Sequence, residues 1–252
     1  MDRPIGMNHW AKRQNGDLER IREMEIVKIS EVFETIQGEG LSCGKPSVFL
    51  RLANCNLRCR WCDTKHSWDW KHFDYHKEVT EQSVAQLTAT IRSYRSRNVV
   101  VTGGEPLLQQ DGLVLLADAL SASHQFEVET AGTLTPCAEL TALVTWWNVS
   151  PKLENSGNSS KARNRSEPMK TFAGLENVSF KFVIDREEDL DEIKALLAQY
   201  DIEQGRVLLM PQAVTELELE TRSRWLAELC IAEGFRFGYR LHIALWKGER
   251  GT

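Results

Sequence analysis

The chain has 252 residues, a formal net charge of −5, 42% hydrophobic and 27% charged residues, which is enough length to bury the core of a single domain. No apolar run approaches the ~20 residues that cross a bilayer, and the acidic balance offers no overall pull towards nucleic acid. Met1 to Glu25 is charged and lacks an apolar centre, so it does not read as a signal peptide, and a cytoplasmic protein with no membrane or nucleic-acid partner is expected.

Residues 1–24 read as a polar N-terminal extension, and 25–252 as one folded unit. Ile26-Val27-Lys28-Ile29 opens a strand that runs to a turn at Gln37-Gly38-Glu39-Gly40, and Ser47 to Leu52 forms a second. A helix follows over Thr80 to Tyr94, with Thr80 as its cap and Val84, Leu87 and Ile91 at helical spacing. Strand-like runs then recur at 98–102, 126–130, 144–149, 178–183, 207–210 and 235–241, with helical patterns at 107–120, 187–200 and 216–233. Short apolar strands alternating with amphipathic helices indicate parallel βαβ units, hence an α/β fold with an open sheet or a barrel. Pro151 to Gly174 is polar with few large apolar residues, and a long surface loop is expected there.

Six cysteines in a reducing compartment favour metal or redox use over disulfides. Three of them, in Cys55-Asn-Leu-Arg-Cys59-Arg-Trp-Cys62, have the spacing C-x3-C-x2-C. That spacing brings three thiolates to one short loop. A 4Fe–4S cluster normally takes four cysteines, so three leave one iron open to an outside ligand. Two other readings stand on the cysteines alone: His66 could complete a structural zinc site, or a distant cysteine could complete an electron-carrier cluster.

Val99 to Pro106 reads as a strand entering a Gly103-Gly104 turn with Pro106 at the start of a helix. Taken with the cysteine loop about forty residues earlier, it resembles the radical S-adenosylmethionine superfamily. The resemblance implies a modified, incomplete (β/α)6 barrel, in which the turn (Gly104, Glu105) contacts the methionine amino group and Trp61 borders the adenine. Glu129-Thr130 and Ser150-Pro151-Lys152 end predicted strands, where ligands of parallel α/β folds collect.

The resemblance narrows with Ile36-Gln37-Gly38-Glu39-Gly40, Phe49-Leu50-Arg51-Leu52, Trp61-Cys62-Asp63-Thr64, Thr102 to Pro106, Pro211-Gln212 and Leu241-His242. These are similar to the 7-carboxy-7-deazaguanine synthase family, and the similarity spans nearly everything from residue 26 onward. It implies a lyase that contracts the ring of 6-carboxy-5,6,7,8-tetrahydropterin to 7-carboxy-7-deazaguanine with loss of ammonia, in queuosine and deazapurine biosynthesis. The implied cofactors are a 4Fe–4S cluster on Cys55, Cys59 and Cys62, S-adenosylmethionine and Mg²⁺, with Thr64 as the matching Mg²⁺ ligand. Trp61, Cys62, Asp63, Gly104, Glu105, Glu129, Ser150, Pro151 and Lys152 would contact S-adenosylmethionine. Ile36, Gln37, Gly38, Glu39, Arg51, Thr102 and His242 would contact the pterin, Arg51 through its carboxylate. Flavodoxin or ferredoxin as electron donor and a homodimer are implied too. The chain departs from some members by continuing past His242 to Thr252. The rivals are a glycyl-radical activating enzyme, which shares the cysteine spacing, and a non-catalytic iron–sulfur or zinc protein.

Overall fold

The computed structural model describes residues 15–252; the expected N-terminal extension lies outside them over residues 1–14. Helix α1 (Asn15–Met24) precedes β1 (Ile26–Ile36) and β2 (Pro46–Leu52), then α2 (Tyr75–Glu78), β3 (Thr80–Ser83), α3 (Val84–Ser93) and β4 (Asn98–Gly103). The middle of the chain carries α4 (Gln110–Leu120), β5 (Gln125–Thr130), α5 (Ala138–Leu143), β6 (Trp146–Val149), α6 (Ser160–Arg163), α7 (Ser166–Ala173) and β7 (Val178–Ile184). It ends with α8 (Asp189–Tyr200), β8 (Val207–Pro211), α9 (Glu216–Glu233), β9 (Arg236–Phe237) and α10 (Leu241–Trp246).

The strands form one open, nine-stranded sheet in the order β3-β1-β2-β4-β5-β6-β7-β8-β9. From β2 to β9 every pairing is parallel, while β1 is antiparallel to both β2 and β3. A parallel run must be covered on both faces, and β7 and β8 are accordingly buried at every position. The core includes Leu50, Val99, Val101, Leu116, Trp147, Phe180 and Phe182, all fully buried. The expected α/β architecture is present as an open, incomplete barrel, and among the described residues it has nine strands rather than six.

Four local expectations change. The segment 80–83 is a strand, not the start of a helix. It pairs with Ile26–Ile29, and Ser83 supplies the cap through a capping box with Gln86. The segment 151–174 is not a polar surface loop: it forms a short turn of helix, α6 and α7, and buries Leu153, Asn155, Ser156, Met169 and Phe172. Phe172 packs edge-on against Trp147 with ring centroids 5.3 Å apart, which ties the segment to the core. The run 235–241 is a strand only over Arg236–Phe237, after which Leu241 starts a helix. Residues 15–24 of the presumed extension are helical, with Ile21 against the core and Arg22 paired with Asp118 at 2.5 Å.

Candidate active site

The C-terminal ends of the parallel strands surround a cavity of about 500 Å³. Its cysteine wall begins where β2 ends. Asn54 takes a left-handed backbone (φ 75°), a conformation asparagine tolerates better than most residues, and so turns the chain into the cysteine loop. Its side chain accepts the indole N–H of Trp70 at 3.1 Å. The Gly103-Gly104 turn is stitched to the same place: Gly104 N–H donates to Leu52 O at 3.0 Å and Glu105 N–H to Asn54 O at 2.8 Å. A Cβ at Gly104 would lie 1.8 Å from Asn54 O, and one at Gly103 (φ 128°) 2.3 Å from Leu52 backbone atoms. Glycine is demanded here by backbone meeting backbone, which fixes the cysteine loop beside the turn.

Each cysteine sulfur on this loop meets a hydrogen-bond donor. Leu57 N–H points at Cys55 Sγ (3.4 Å), Asn158 Nδ2 at Cys59 Sγ (3.2 Å) and Trp68 Nε1 at Cys62 Sγ (3.3 Å). Burial pushes the Cys55 thiol up to about 12 and raises that of Cys59 as well. As thiolates they therefore call for a cationic partner. Among the described residues, no three His, Cys, Asp or Glu side chains converge on a position for a single metal ion. His66 is engaged elsewhere, with Nε2 3.3 Å from Glu31. Three sulfurs on one loop, each facing a hydrogen-bond donor, suit a multi-iron cluster.

The same cavity holds a network of charges. Lys181, from the middle of β7, donates to Glu129 at 2.8 Å and to Glu39 at 3.2 Å. Arg240 donates to Glu39 at 3.0 Å and pairs with Asp63. Glu129 also accepts from Thr102 Oγ1 (2.9 Å) and Gln37 Nε2 (3.3 Å). Burial opposes charge on Glu39, Asp63, Lys181 and Arg240, but mutual attraction wins. Glu39 and Asp63 are held below, and Lys181 and Arg240 above, their ordinary values. Burial lowers His242, so its imidazole is neutral near pH 7. Leu241 N–H donates to Gly38 O at 2.9 Å. This seats His242 so closely over Gly38 that a Cβ there would fall 2.4 Å from Nδ1.

Arg51 projects from β2 and donates through Nε to Glu31 at 2.7 Å. Glu31 also accepts from Arg250 at 3.1 Å, and Arg250 reaches on to Glu78 at 2.8 Å. The C-terminal residues 248–252 therefore fold back and line the cavity. Burial opposes ionisation of Glu31, yet the hydrogen bond with His66 and the charge and hydrogen bonds of Arg51 and Arg250 hold its carboxyl at about 2. A carboxyl depressed in the folded state stabilises the fold above its unfolded pKa, ~4.3, and loses that contribution as the pH falls. Glu31→Gln is accordingly expected to be less stable than the parent above pH ~4.5, the gap closing as the pH approaches ~2. Acid unfolding followed by circular dichroism checks this, and parallel curves for the two proteins would contradict it.

The cavity gathers Ile36, Gln37, Gly38, Glu39, Arg51, Thr102 and His242 with Cys55, Cys59, Trp61, Cys62, Asp63, Thr64, Gly104, Glu129, Ser150 and Lys152. Glu105 and Pro151 stand outside its lining. The Glu105 carboxylate is fully buried and turned into the strand ends, where it accepts from Thr130 Oγ1 (2.7 Å), Ala131 N–H (2.9 Å) and Leu107 N–H (3.2 Å). Sequence reasoning missed Glu31, Lys181 and Arg240. Lys181 had a legible signal: a lysine inside an otherwise apolar strand must find a partner.

The chain resembles known proteins in its iron–sulfur segment, its fold and its whole sequence. Residues 36–135 match a family described as a 4Fe-4S single cluster domain. The crystal structure of QueE from Escherichia coli superposes with a TM-score of 0.70 at 28% identity, covering 91% of this chain and 100% of that one. Streptococcus suis SuiB bound to S-adenosylmethionine shares the fold at a TM-score of 0.52 and 12% identity, over 76% of this chain and 50% of that one. Fold and cysteine loop together define a radical S-adenosylmethionine enzyme that carries a 4Fe–4S cluster. Among sequences, the 7-carboxy-7-deazaguanine synthase of Pyrobaculum aerophilum is 40% identical over 228 residues, 89% of this chain and 97% of its own length. That of Escherichia coli is 32% identical over 236 residues, 85% of this chain and 96% of its own length. The chain belongs to the 7-carboxy-7-deazaguanine synthase family.

Proposed function

We propose that the protein converts 6-carboxy-5,6,7,8-tetrahydropterin to 7-carboxy-7-deazaguanine with loss of ammonia, supplying the deazapurine of the queuosine pathway. The observation that carries this reading is a single cavity lined both by the three cysteines and by Glu39, Arg51, Thr102 and His242. The cluster and S-adenosylmethionine together supply one-electron cleavage of a carbon–sulfur bond, the source of the radical.

The chain's own residues bind and orient. Glu39, kept ionised by Lys181 and Arg240, presents acceptor oxygens suited to the donor edge of an aminopyrimidinone. Arg51, its Nε fixed by Glu31, keeps its remaining N–H groups for the substrate carboxylate. Neutral His242 and the Thr102 hydroxyl offer further hydrogen bonds. On the cofactor side, the Lys152 ammonium lies 5.8 Å from the Trp61 ring centroid and donates to Ser150 Oγ at 2.8 Å. Trp61 is held by its indole N–H on Asn155 O at 3.1 Å. These positions suit the adenine and the carboxylate of S-adenosylmethionine.

Thr64, whose hydroxyl lies 3.6 Å from Cys62 Sγ, would give Mg²⁺ one protein oxygen. Substrate and water would fill the remaining positions, as this hard cation commonly arranges. Thr64→Ala is expected to keep the cluster's absorption while raising the Mg²⁺ concentration for half-maximal rate about tenfold. An unchanged Mg²⁺ titration would remove Thr64 from that role. A low-potential flavodoxin or ferredoxin would deliver the electron, and the protein would act as a cytoplasmic homodimer. No helix among the described residues is long and apolar enough to cross a membrane.

The deciding experiment is an anaerobic reaction of reconstituted, reduced protein with S-adenosylmethionine, Mg²⁺ and 6-carboxytetrahydropterin, followed by mass spectrometry. Formation of 7-carboxy-7-deazaguanine supports the assignment. Release of 5′-deoxyadenosine alone would retain the radical chemistry and reject the substrate.

A further inference from the structure

The segment 151–174 has no assigned role, yet its first part is buried against the cysteine loop. Arg60 N–H donates to Ser156 O at 3.0 Å, and Arg58 N–H to Asn158 Oδ1 at 2.8 Å. The same Asn158 side chain turns its Nδ2 to Cys59 Sγ at 3.2 Å, with Ser156 Oγ also 3.2 Å away. Its backbone carbonyl accepts from Arg163 Nε at 3.2 Å. The amide is therefore fixed at both ends, with oxygen on the loop backbone and nitrogen on the sulfur. Trp68 does the same for Cys62: its Nε1 donates to Cys62 Sγ at 3.3 Å. Its ring is buried, beneath the Arg58 guanidinium at 4.7 Å. Among the described residues, Cys55 receives only a backbone N–H, from Leu57.

We propose that Asn158 and Trp68 set the reduction potential of the cluster by donating N–H···S hydrogen bonds to Cys59 and Cys62. The proposal rests on the reading that these cysteines hold a 4Fe–4S cluster. One electron taken up from an external reductant lowers the cluster's charge by one, and part of that charge spreads onto the cysteine sulfurs. A donor aimed at sulfur favours the more negative state, as hydrogen bonds to a charged acceptor do generally. Both side chains therefore raise the potential and make the cluster easier to reduce. They touch the cluster's ligands rather than substrate, so they are positioning residues. A role confined to holding the loop would leave the potential unchanged.

The test is a mediated redox titration of the reconstituted, full-length protein without S-adenosylmethionine, read by the electron paramagnetic resonance of the reduced cluster. Trp68→Phe keeps the ring under Arg58 and removes only the donor, and Asn158→Ala removes the amide. At the potential where the parent is half reduced, each variant with full iron content should show a reduced-to-oxidised ratio about three- to tenfold lower, the worth of one such hydrogen bond. The two effects should multiply in the double variant, since the donors serve different sulfurs. A ratio equal to or above the parent's in either variant, at equal iron content, overturns the proposal. If Asn158→Ala does not fold, Trp68→Phe still decides it. Failure of the unvaried protein to bind iron would instead overturn the cluster reading, and failure to form the deazapurine would touch neither.

Discussion

Cys59→Ala is expected to lose the visible absorption of the cluster and to bring turnover to background, while the fold persists. Two thiolates cannot hold a cluster that already leaves one iron to an outside ligand, and no further cysteine is near enough to substitute. Cys43, Cys137 and Cys230 belong to the β1–β2 turn, the N-terminus of α5 and α9 respectively, and none lines the cysteine wall. The cost to the polypeptide is small. Cys59 packs in a minor cluster with Leu57 and Ala131, flanked by Cys55, Cys62 and Ala162, so losing one buried sulfur should cost about 1 kcal/mol. Iron analysis, the absorption spectrum and far-ultraviolet circular dichroism separate the two effects. Retained absorption with retained activity would refute the assignment of the cysteine loop.

Lys181→Met is expected to cost about 3–5 kcal/mol of folding stability and most of the activity. The lysine side chain is only 3% exposed and holds two carboxylates, Glu39 and Glu129. A methionine fills its volume but leaves both negative charges facing each other in a buried site. The relief open to the variant is to protonate one of them, so its carboxyl pKa rises above the unfolded value. Such a group costs stability in full above its raised folded pKa, and that cost shrinks as the pH falls through the folded value towards the unfolded one. The gap to the parent should therefore be wider at pH 8 than at pH 5.5 in urea unfolding. The same gap at both pH values would show that Lys181 acts through packing alone. Glu39 would also lose one of its two cationic partners and keep only Arg240 on its other oxygen, so its orientation loosens and substrate binding should suffer even where the variant is folded.

Helix α9 shows how far local rules reach. Its bounds were legible as 216–233, because Thr215 and Glu218 form a capping box and Gly234 ends it in a left-handed cap. The strands 98–103, 125–130, 178–184 and 207–211 fell within a residue of expectation, since short apolar runs between turn residues have few alternatives. Thr80–Ser83 was misread because both Thr80 and Ser83 can cap a helix, and only pairing with β1 decides between them. The 151–174 segment was misread because its buried polar members include Asn155 and Arg163, whose side chains are satisfied by Val183, Asp189 and Glu192, far away in sequence. Composition alone counts such residues as solvent-facing.

What the sequence by itself determined is the chemistry. The C-x3-C-x2-C spacing, the Gly-Gly turn and the Gln-Gly-Glu-Gly motif are contiguous signals, and each confines its atoms to one short stretch of chain. What only the tertiary structure decided is the electrostatics that make those atoms usable. Lys181 meets Glu39 across 142 residues and Arg240 meets Glu39 across 201. Asn158 reaches Cys59 across 99 residues and Arg250 reaches Glu31 across 219. The charge a buried group carries depends on which partner the fold brings within about 4 Å, and no pattern along the chain encodes that distance.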